Sequence, residues 1–176
     1  VTGIDMGEAP LAVAELHALD NHLTIEYKRI TAEEIALERP GQYDIVTCLE
    51  MLEHVPDPAA IVNACATLCK PGGHLYFATI NRNPKSYMFA IVGAEHILRL
   101  LPKGTHDYEK LIKPSELHHW IRASRLSLKD STGMTYNPLT RQYKLKSNNL
   151  DVNYLFCLFY FSLHLRQYYN CLQAIL

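Results

Sequence analysis

Hydrophobic and polar residues follow two different periods along the first 80 positions of the chain. Four segments have the short apolar or alternating pattern of strands: VTGID (1–5), LTIEYKRI (23–30), YDIVTCL (43–49) and HLYFATI (74–80). Three segments between them carry apolar residues at helical spacing: APLAVAELHALD (9–20), TAEEIALE (31–38) and AAIVNACATLC (59–69). Strands that alternate with helices predict an α/β fold with a mainly parallel sheet and right-handed crossovers.

Residues at the predicted helix ends support this order. Thr31 and Glu34 have the spacing of a capping box, and Asp57 followed by Pro58 is typical of an N-cap and a first helical position. The KPGG stretch, with Gly72, predicts a helix stop rather than a phosphate-binding loop, because a strand follows it.

The second half of the chain departs from this alternation. Residues 81–113 are too many for a simple connection, and SYMFAIVGAEHILRLL (86–101) can form one amphipathic helix that Gly93 interrupts. KPSELHHWIRAS (113–124) predicts a further helix. RLSLKDSTGMTYNPLTRQYKL (125–145) predicts two strands around a turn at Asn137, which we expect to close the sheet as an antiparallel hairpin.

Composition narrows the class of protein. The 176 residues suit one domain, 48% of them are hydrophobic, and a net charge of −1 gives no broad basic surface, so we expect no nucleic-acid partner. The odd count of five cysteines favours reduced thiols over a disulfide framework. LFCLFYFSLHL (155–165) is too short for a membrane span. Because the chain opens on Val1, we expect a fragment or a processed product.

Charged side chains follow two of the predicted strands, at the edge where open α/β sheets bind ligands. Asp5 ends the first strand, where an acidic residue can accept hydrogen bonds from ribose hydroxyls, although a structural role is equally compatible. Glu50, Glu53 and His54 have the spacing that places them on one side of a helical turn. Two carboxylates and an imidazole suit Mg²⁺ or Mn²⁺ before Zn²⁺. The spacing alone also fits an exposed acidic turn with His54 against Pro56.

A dense apolar set occupies the long segment of the second half. It comprises Tyr87, Met88, Phe89, Ile91, Val92, Ile97, Leu98 and Leu101, with Lys85, Arg99 and Lys103 nearby. Such a helix can cover an active site or the core, or it can lie in a membrane interface. The pattern leaves both interpretations open, and one helix could do both by sheltering an apolar substrate drawn from lipid.

Five stretches together resemble the ubiquinone-biosynthesis O-methyltransferase family: VTGIDM, GQYDIVTCLEMLEHVPDP, LCKPGGHLYFATINRN, VGAEHILRLLPKGTHDYEKLIKP and GMTYNP. The resemblance runs from Val1 to about Tyr154. KPGG is common to many methyltransferases that use S-adenosylmethionine, whereas EMLEHV and LPKGTH are much more specific to this family.

The resemblance implies a Rossmann-like class I methyltransferase fold, with a mostly parallel sheet and a terminal antiparallel hairpin. It also implies methyl transfer from S-adenosylmethionine to a phenolic hydroxyl of a polyprenylated catechol-type precursor of ubiquinone. By motif position, Asp5 would hold the cofactor ribose with Met6 beside it. Thr31 and Ala32 would lie near the adenine, and Leu49 would line the cofactor pocket.

The same resemblance assigns Glu50, Glu53 and His54 to a site for Mg²⁺ or another divalent cation. A bound ion would lower the pKa of a catechol hydroxyl and orient its oxygen towards the sulfonium methyl. A dry site would favour this reaction, because opposite charges partly cancel in the transition state. His54 is the alternative general base, since one nitrogen does not serve both roles.

Partners and location also follow from the resemblance. Residues 81–104 would meet a membrane lipid surface, and other ubiquinone-biosynthesis proteins are candidate partners. The expected location is cytoplasmic and peripheral on the inner face of a bacterial membrane, or the matrix side of a mitochondrial membrane.

Two features depart from the family pattern: the missing first strand with its glycine-rich loop, and the apolar tail. In this fold the first strand lies in the middle of the sheet, so its loss would leave the two strands on either side of it without that partner. We therefore expect the chain as written to bind S-adenosylmethionine poorly and to be impaired in methyl transfer. We divide the chain into a partial methyltransferase domain at 1–154 and an atypical apolar and aromatic tail at 155–176.

Other functions predict different properties. A methyltransferase for another small molecule would keep its activity after chelation, and a non-catalytic membrane-associated remnant would bind lipid without transferring methyl groups. A dinucleotide dehydrogenase would use Asp5 equally well, but it leaves the Glu50, Glu53 and His54 cluster without a role.

Overall fold

The computed structural model describes residues 1–88, 107–137, 140, 142–147 and 149–160. The first part contains β1 (Thr2–Asp5), α1 (Glu8–Asp20), β2 (Glu26–Arg29), α2 (Ala32–Glu38), β3 (Tyr43–Leu49), a 3-10 helix (Leu52–His54), α3 (Pro58–Leu68) and β4 (Cys69–Ile80). The second part contains α4 (Pro84–Ser86), a 3-10 helix (Tyr108–Lys110), α5 (Pro114–Ala123), β5 (Leu126–Asn137), β6 (Gln142–Ser147) and β7 (Asn153–Tyr160).

The strands form two separate sheets. β1 and β2 pair in parallel as a small sheet, and a second sheet has the order β3-β4-β7-β5-β6. In the second sheet β3 and β4 are parallel, whereas β7 is antiparallel to both β4 and β5, and β5 is antiparallel to β6. The predicted α/β alternation of the first half and the late antiparallel hairpin are both confirmed. The described strands are mixed rather than mainly parallel, because two strand pairings are parallel and three are antiparallel.

A side-chain network joins the two sheets. No described strand pairs with both β1 and β3. Arg39 instead connects the two sheets, because it donates to the two carboxylate oxygens of Glu26 at 2.6 and 2.7 Å and to the Tyr43 hydroxyl at 3.4 Å. The hydrogen bond from Arg39 lowers the pKa of Glu26 to about 2. Helix α2 adds an apolar connection, because Ile35 belongs to the same buried cluster as Cys48 of β3.

The predicted helix starts are confirmed by their capping contacts. Thr31 Oγ1 accepts from the Glu34 amide at 3.2 Å, and the Glu34 carboxylate accepts from the Thr31 amide at 3.0 Å. Asp57 Oδ1 accepts from the Ala60 amide at 3.1 Å at the start of α3. Helix α3 ends slightly earlier than predicted, and the KPGG stretch lies within β4, where Gly72 has a φ of 85°.

Residues 155–160, which the sequence analysis assigned to the tail, form most of β7. β7 has strand partners on both edges, and Tyr154, Phe156 and Leu158 are buried. The sequence did not indicate this strand, because the run is continuously apolar and lacks the alternation of polar and apolar residues that marks a half-buried strand. A strand in the middle of a sheet can be apolar on both faces. The remainder of the predicted tail, 161–176, lies outside the described residues.

The predicted apolar helix at 86–101 also falls largely outside the described residues. At its start, Lys85 pairs with Asp151 at 2.5 Å, and the Tyr87 and Met88 side chains are exposed. None of the helices in the described ranges is long and apolar enough to cross a membrane.

Candidate functional site

Polar side chains meet past the carboxyl ends of β3 and β4. Glu50 and Glu53 follow β3, and Thr79 lies next to the last residue of β4. Asn153, the first residue of β7, enters the same region. Because β3 and β4 are parallel neighbours, their ends lie at the edge where open α/β sheets bind ligands.

Glu53 is a buried carboxylate held by a single hydrogen bond from a side chain. Thr79 Oγ1 donates to Glu53 Oε2 at 2.7 Å, and the two residues are 0% and 4% exposed respectively. Glu53 Oε1 is also buried, and it accepts a hydrogen bond from no donor in the described part of the chain. A buried oxygen without a hydrogen-bond partner lowers the stability of the folded state, because its lost hydration is not replaced. This position therefore suits a proton, a ligand donor or a cation.

Glu50 brings a second carboxyl to Glu53. Its φ of 51° lies in the left-handed region, which residues other than glycine seldom adopt and which often occurs at functional sites. The residue as a whole is exposed, but its carboxyl lies close to the side chains of Glu53 and Asn153. Burial of that carboxyl, followed by the charge of Glu53, raises the pKa of Glu50 to about 7. Near neutral pH Glu50 is therefore partly protonated.

His54 does not complete the predicted cluster. It ends the 3-10 helix at 52–54 and is exposed to solvent. Within residues 1–88 and the other described ranges, no group of three or more His, Cys, Asp or Glu side chains is placed to hold one metal ion. Glu50 and Glu53 do come together, and their oxygen donors, one of them without a partner, fit the chemistry of a hard divalent cation.

The residues predicted to contact the ribose lie at the end of β1. The Asp5 carboxylate accepts from the Gly7 amide at 2.7 Å and stays exposed at this edge. Met6 is exposed, and its carbonyl accepts from Arg29 Nε at 3.0 Å. Asp5 thus stabilises the turn into α1 and remains open to solvent.

The other predicted cofactor contacts have different environments. The Thr31 hydroxyl is engaged in the cap of α2, and the Ala32 side chain is buried in the core. Because neither side chain is available, an adenine ring near these two residues would contact their backbone atoms. Leu49 ends β3 and is exposed, as a residue lining an open pocket would be.

A cavity of about 230 Å³ adjoins the carboxylate pair, and we call it the α5 cavity. It lies between the turn that follows β3 and helix α5. It is lined by Leu52, Glu53, Val55, Pro56, Pro58, Arg82, Glu109, Lys110, Leu111, Ile112, Glu116 and Trp120. Arg82 pairs with Glu116 and donates to the Glu109 carbonyl at 2.8 Å, so its charge is already compensated.

Sequence reasoning missed Thr79, Asn153 and the walls of the cavity. Thr79 had a local signal, because Leu75 and Phe77 occupy the same face of β4 and are buried, which makes a hydroxyl at the third alternate position unusual. Asn153 and Trp120 had none, since they approach the site from distant parts of the chain.

Comparisons with known proteins identify the family of the chain. Residues 1–132 match a family described as a methyltransferase domain. The chain is 64% identical over 155 residues to the ubiquinone biosynthesis O-methyltransferase of Stutzerimonas stutzeri, covering 88% of this chain and 66% of that protein. The protein of the same name from Acinetobacter baylyi is 66% identical over 156 residues, covering 88% of this chain and 65% of the relative. The chain therefore spans slightly less than two thirds of the length of these curated relatives.

Solved structures show the same fold. A methyltransferase from Methanosarcina mazei that depends on S-adenosylmethionine superposes with a TM-score of 0.64 at 20% identity, covering 92% of this chain and 82% of that one. Another methyltransferase of this kind, from Thermotoga maritima, superposes with a TM-score of 0.66 at 13% identity, covering 89% of this chain and 72% of that one. The predicted class I methyltransferase fold is thus confirmed, as is the resemblance to proteins named ubiquinone biosynthesis O-methyltransferase. The chain belongs to the methyltransferase-domain family.

Proposed function

We propose that this domain transfers a methyl group from S-adenosylmethionine to a phenolic hydroxyl of a polyprenylated catechol-type intermediate in ubiquinone biosynthesis. The observation that carries the proposal is the identity of 62–66% to proteins named for that activity, over most of the chain. The buried carboxylate at the carboxyl edge of β3 supports it, because a protein group that accepts a hydroxyl proton belongs at this edge.

The reaction requires an oxygen nucleophile. The hydroxyl loses its proton, its oxygen forms a bond to the methyl carbon, and the carbon–sulfur bond breaks to release S-adenosylhomocysteine. Glu53 would accept or orient the proton through its unpartnered oxygen, with Thr79 fixing the other oxygen. His54 is the alternative base, and its exposure would let it pass a proton to solvent.

A divalent cation, Mg²⁺ before Zn²⁺, is part of the proposal. Glu50 and Glu53 would hold it, and His54 would be the third ligand if its side chain turned towards them. When bound, such an ion lowers the pKa of a phenolic hydroxyl. The support is the like-charged carboxyl pair with one unpartnered oxygen, which a cation would compensate better than a shared proton.

The cofactor would lie past the carboxyl ends of β1 and β3. In this proposal the Asp5 carboxylate receives the ribose hydroxyls with Met6 beside them. The backbone at Thr31 and Ala32 borders the adenine, and Leu49 covers the pocket. The exposure of Asp5 at the end of β1 and of Leu49 at the end of β3 supports this arrangement.

The proposal also places the protein at a membrane surface. Exposed Tyr87 and Met88 beside Lys85 have the amphipathic character of an interfacial segment, which supports lipid contact through residues 81–104. The protein would then act peripherally on the inner membrane face or on the matrix side, near other ubiquinone-biosynthesis proteins.

A methyl-transfer assay tests the proposed function. Because we expect the chain as written to be impaired, a version extended to the length of the curated relatives is used. It is incubated with S-adenosylmethionine carrying a labelled methyl group and a farnesylated catechol, and the O-methylated product is measured by mass spectrometry with Mg²⁺ or with EDTA. We expect product that falls at least about a hundredfold in Glu53→Gln, in line with the loss of a general base. Glu15→Gln, at an exposed glutamate in the middle of α1, is the matched control. No product from the extended protein would refute the activity, and equal rates with EDTA would refute the metal.

A further inference from the structure

We propose that Asn153 is a positioning residue for Glu50 in the proposed cation site, and that polar groups of the segment after β4 hold it there by fixing the 149–152 loop. Asn153 begins β7, and its side chain lies close to the Glu50 carboxyl. The inference rests on the cation part of the proposed function. Its test measures cation binding directly and needs no methyl transfer.

The Glu50 carboxyl needs a neighbouring group to fix its direction. Glu50 is an exposed residue with a left-handed φ of 51°, just past the last residue of β3. Glu53 is different, because it is buried and accepts a hydrogen bond from Thr79 at 2.7 Å. A polar group that contacts a metal-binding carboxylate orients it and leaves its other lone pairs for the ion. The Asn153 amide lies where it can have this role.

The segment after β4 makes hydrogen bonds to the backbone of the 149–152 loop. Asn81 Nδ2 donates to the Leu150 carbonyl at 2.7 Å, and the Asn81 amide donates to the Val152 carbonyl at 2.8 Å. One residue of the segment therefore holds the loop at two points, and the second is the residue directly before β7.

The Asp151 carbonyl accepts two further hydrogen bonds. Asn83 Nδ2 donates to it at 2.6 Å, and Ser86 Oγ donates to it at 2.9 Å. Ser86 is 0% exposed, so its bond is shielded from water. Because these donors bind main-chain carbonyls, they fix the path of the loop and with it the position of Asn153.

The loop also lies directly against Gly133 of β5. A Cβ at this position would overlap the Asn149 carbonyl, so the close approach of the loop requires glycine. Asn153 then continues in register between two strands, since it pairs with Ile80 of β4 and Met134 of β5. The contacts with both neighbouring segments place the Asn153 side chain before any ion binds.

Binding of Mn²⁺ to the 176-residue chain tests the inference. Free Mn²⁺ is measured by electron paramagnetic resonance during a titration without S-adenosylmethionine, and the site is identified as the binding that Glu50→Gln removes. We expect Asn153→Ala to raise the dissociation constant at least about tenfold, as for other groups that orient metal ligands. Asn63→Ala, at an exposed asparagine of α3, is the matched control and should leave the constant unchanged.

A double-mutant cycle tests the path through the loop. Asn83→Ala removes a hydrogen bond to the loop and should weaken Mn²⁺ binding at least about threefold. In an Asn153→Ala background the same substitution should add little, because the loop acts through Asn153. Urea unfolding is measured for each variant. A residue that only stabilises the fold would lower the free energy of unfolding without changing the dissociation constant of the folded protein.

The outcomes are distinct. An unchanged dissociation constant in Asn153→Ala, additive effects of the two substitutions, or no Mn²⁺ binding by the unaltered chain would each overturn the inference. Methyl transfer by the extended protein together with no Mn²⁺ binding would refute the cation site and leave methyl transfer standing. Mn²⁺ binding with the expected responses, in an extended protein that transfers no methyl group, would uphold the positioning role and refute the proposed function.

Discussion

The Thr79 hydroxyl lies 2.7 Å from Glu53 Oε2 and is the side-chain donor that holds this buried carboxylate. Both residues are almost fully buried, and they come from different segments, one from β4 and the other from the 3-10 helix after β3. The contact therefore fixes the turn after β3 against the sheet, and the second carboxylate oxygen is buried without a hydrogen-bond donor from the described part of the chain.

Replacing Thr79 with valine should destabilise the protein, because it leaves both Glu53 oxygens without a side-chain donor at nearly constant volume. We expect a loss of about 1–3 kcal/mol in the free energy of unfolding, measured by urea denaturation. In a Glu53→Leu background the same change should cost little, since replacing both partners with apolar groups removes the unpaired acceptor. Equal costs in the two backgrounds would show that the hydrogen bond is not the cause.

Acid should weaken the connection between the two sheets through Glu26. The hydrogen bond from Arg39 lowers the pKa of Glu26 from 4.5 to about 2, so the folded state binds this proton less readily than the unfolded chain. Its contribution to stability is present above pH 4.5 and is lost as the pH falls towards 2. Glu26→Gln should flatten the acid dependence of urea unfolding across that window. An unchanged slope in this variant would contradict the assignment.

The cap of α3 should contribute through a single side-chain acceptor. Asp57 Oδ1 accepts from the Ala60 amide at 3.1 Å, so Asp57→Ala should lower the free energy of unfolding by about 0.5–2 kcal/mol. Asp57→Asn keeps a good capping group and is the control, with most of the stability retained in thermal melts. A similar loss in both variants would point to charge rather than to capping.

The position of β7 predicts a contrast between two leucines. Leu158 in β7 is 0% exposed, whereas Leu145 in β6 is 72% exposed. Leu158→Ala should cost about 2–5 kcal/mol, and Leu145→Ala should stay within about 0.5 kcal/mol of the unaltered protein. Chemical denaturation of the two variants measures this directly. A small effect at Leu158 would mean that residues 153–160 do not form the centre of the sheet.

Local sequence determined the elements whose signals lie within a few residues. The capping box of Thr31 and Glu34, the Asp57 cap and the strand YDIVTCL each depend on neighbours in the chain, and the structure confirms all three. The motifs around Glu50 and Glu53 also identified the family, because they are continuous in sequence.

The tertiary structure determines which of the candidate polar side chains lie close to one another. Spacing places Glu50, Glu53 and His54 on one side of an ideal turn, but the left-handed φ of Glu50 and the 3-10 geometry bring the two carboxyls together and leave His54 in solvent. Strand pairing inserts β7 between β4 and β5 and brings Asn153 to the site. Such contacts join residues far apart in the chain, and their energies depend on burial, which a local pattern of residues does not specify.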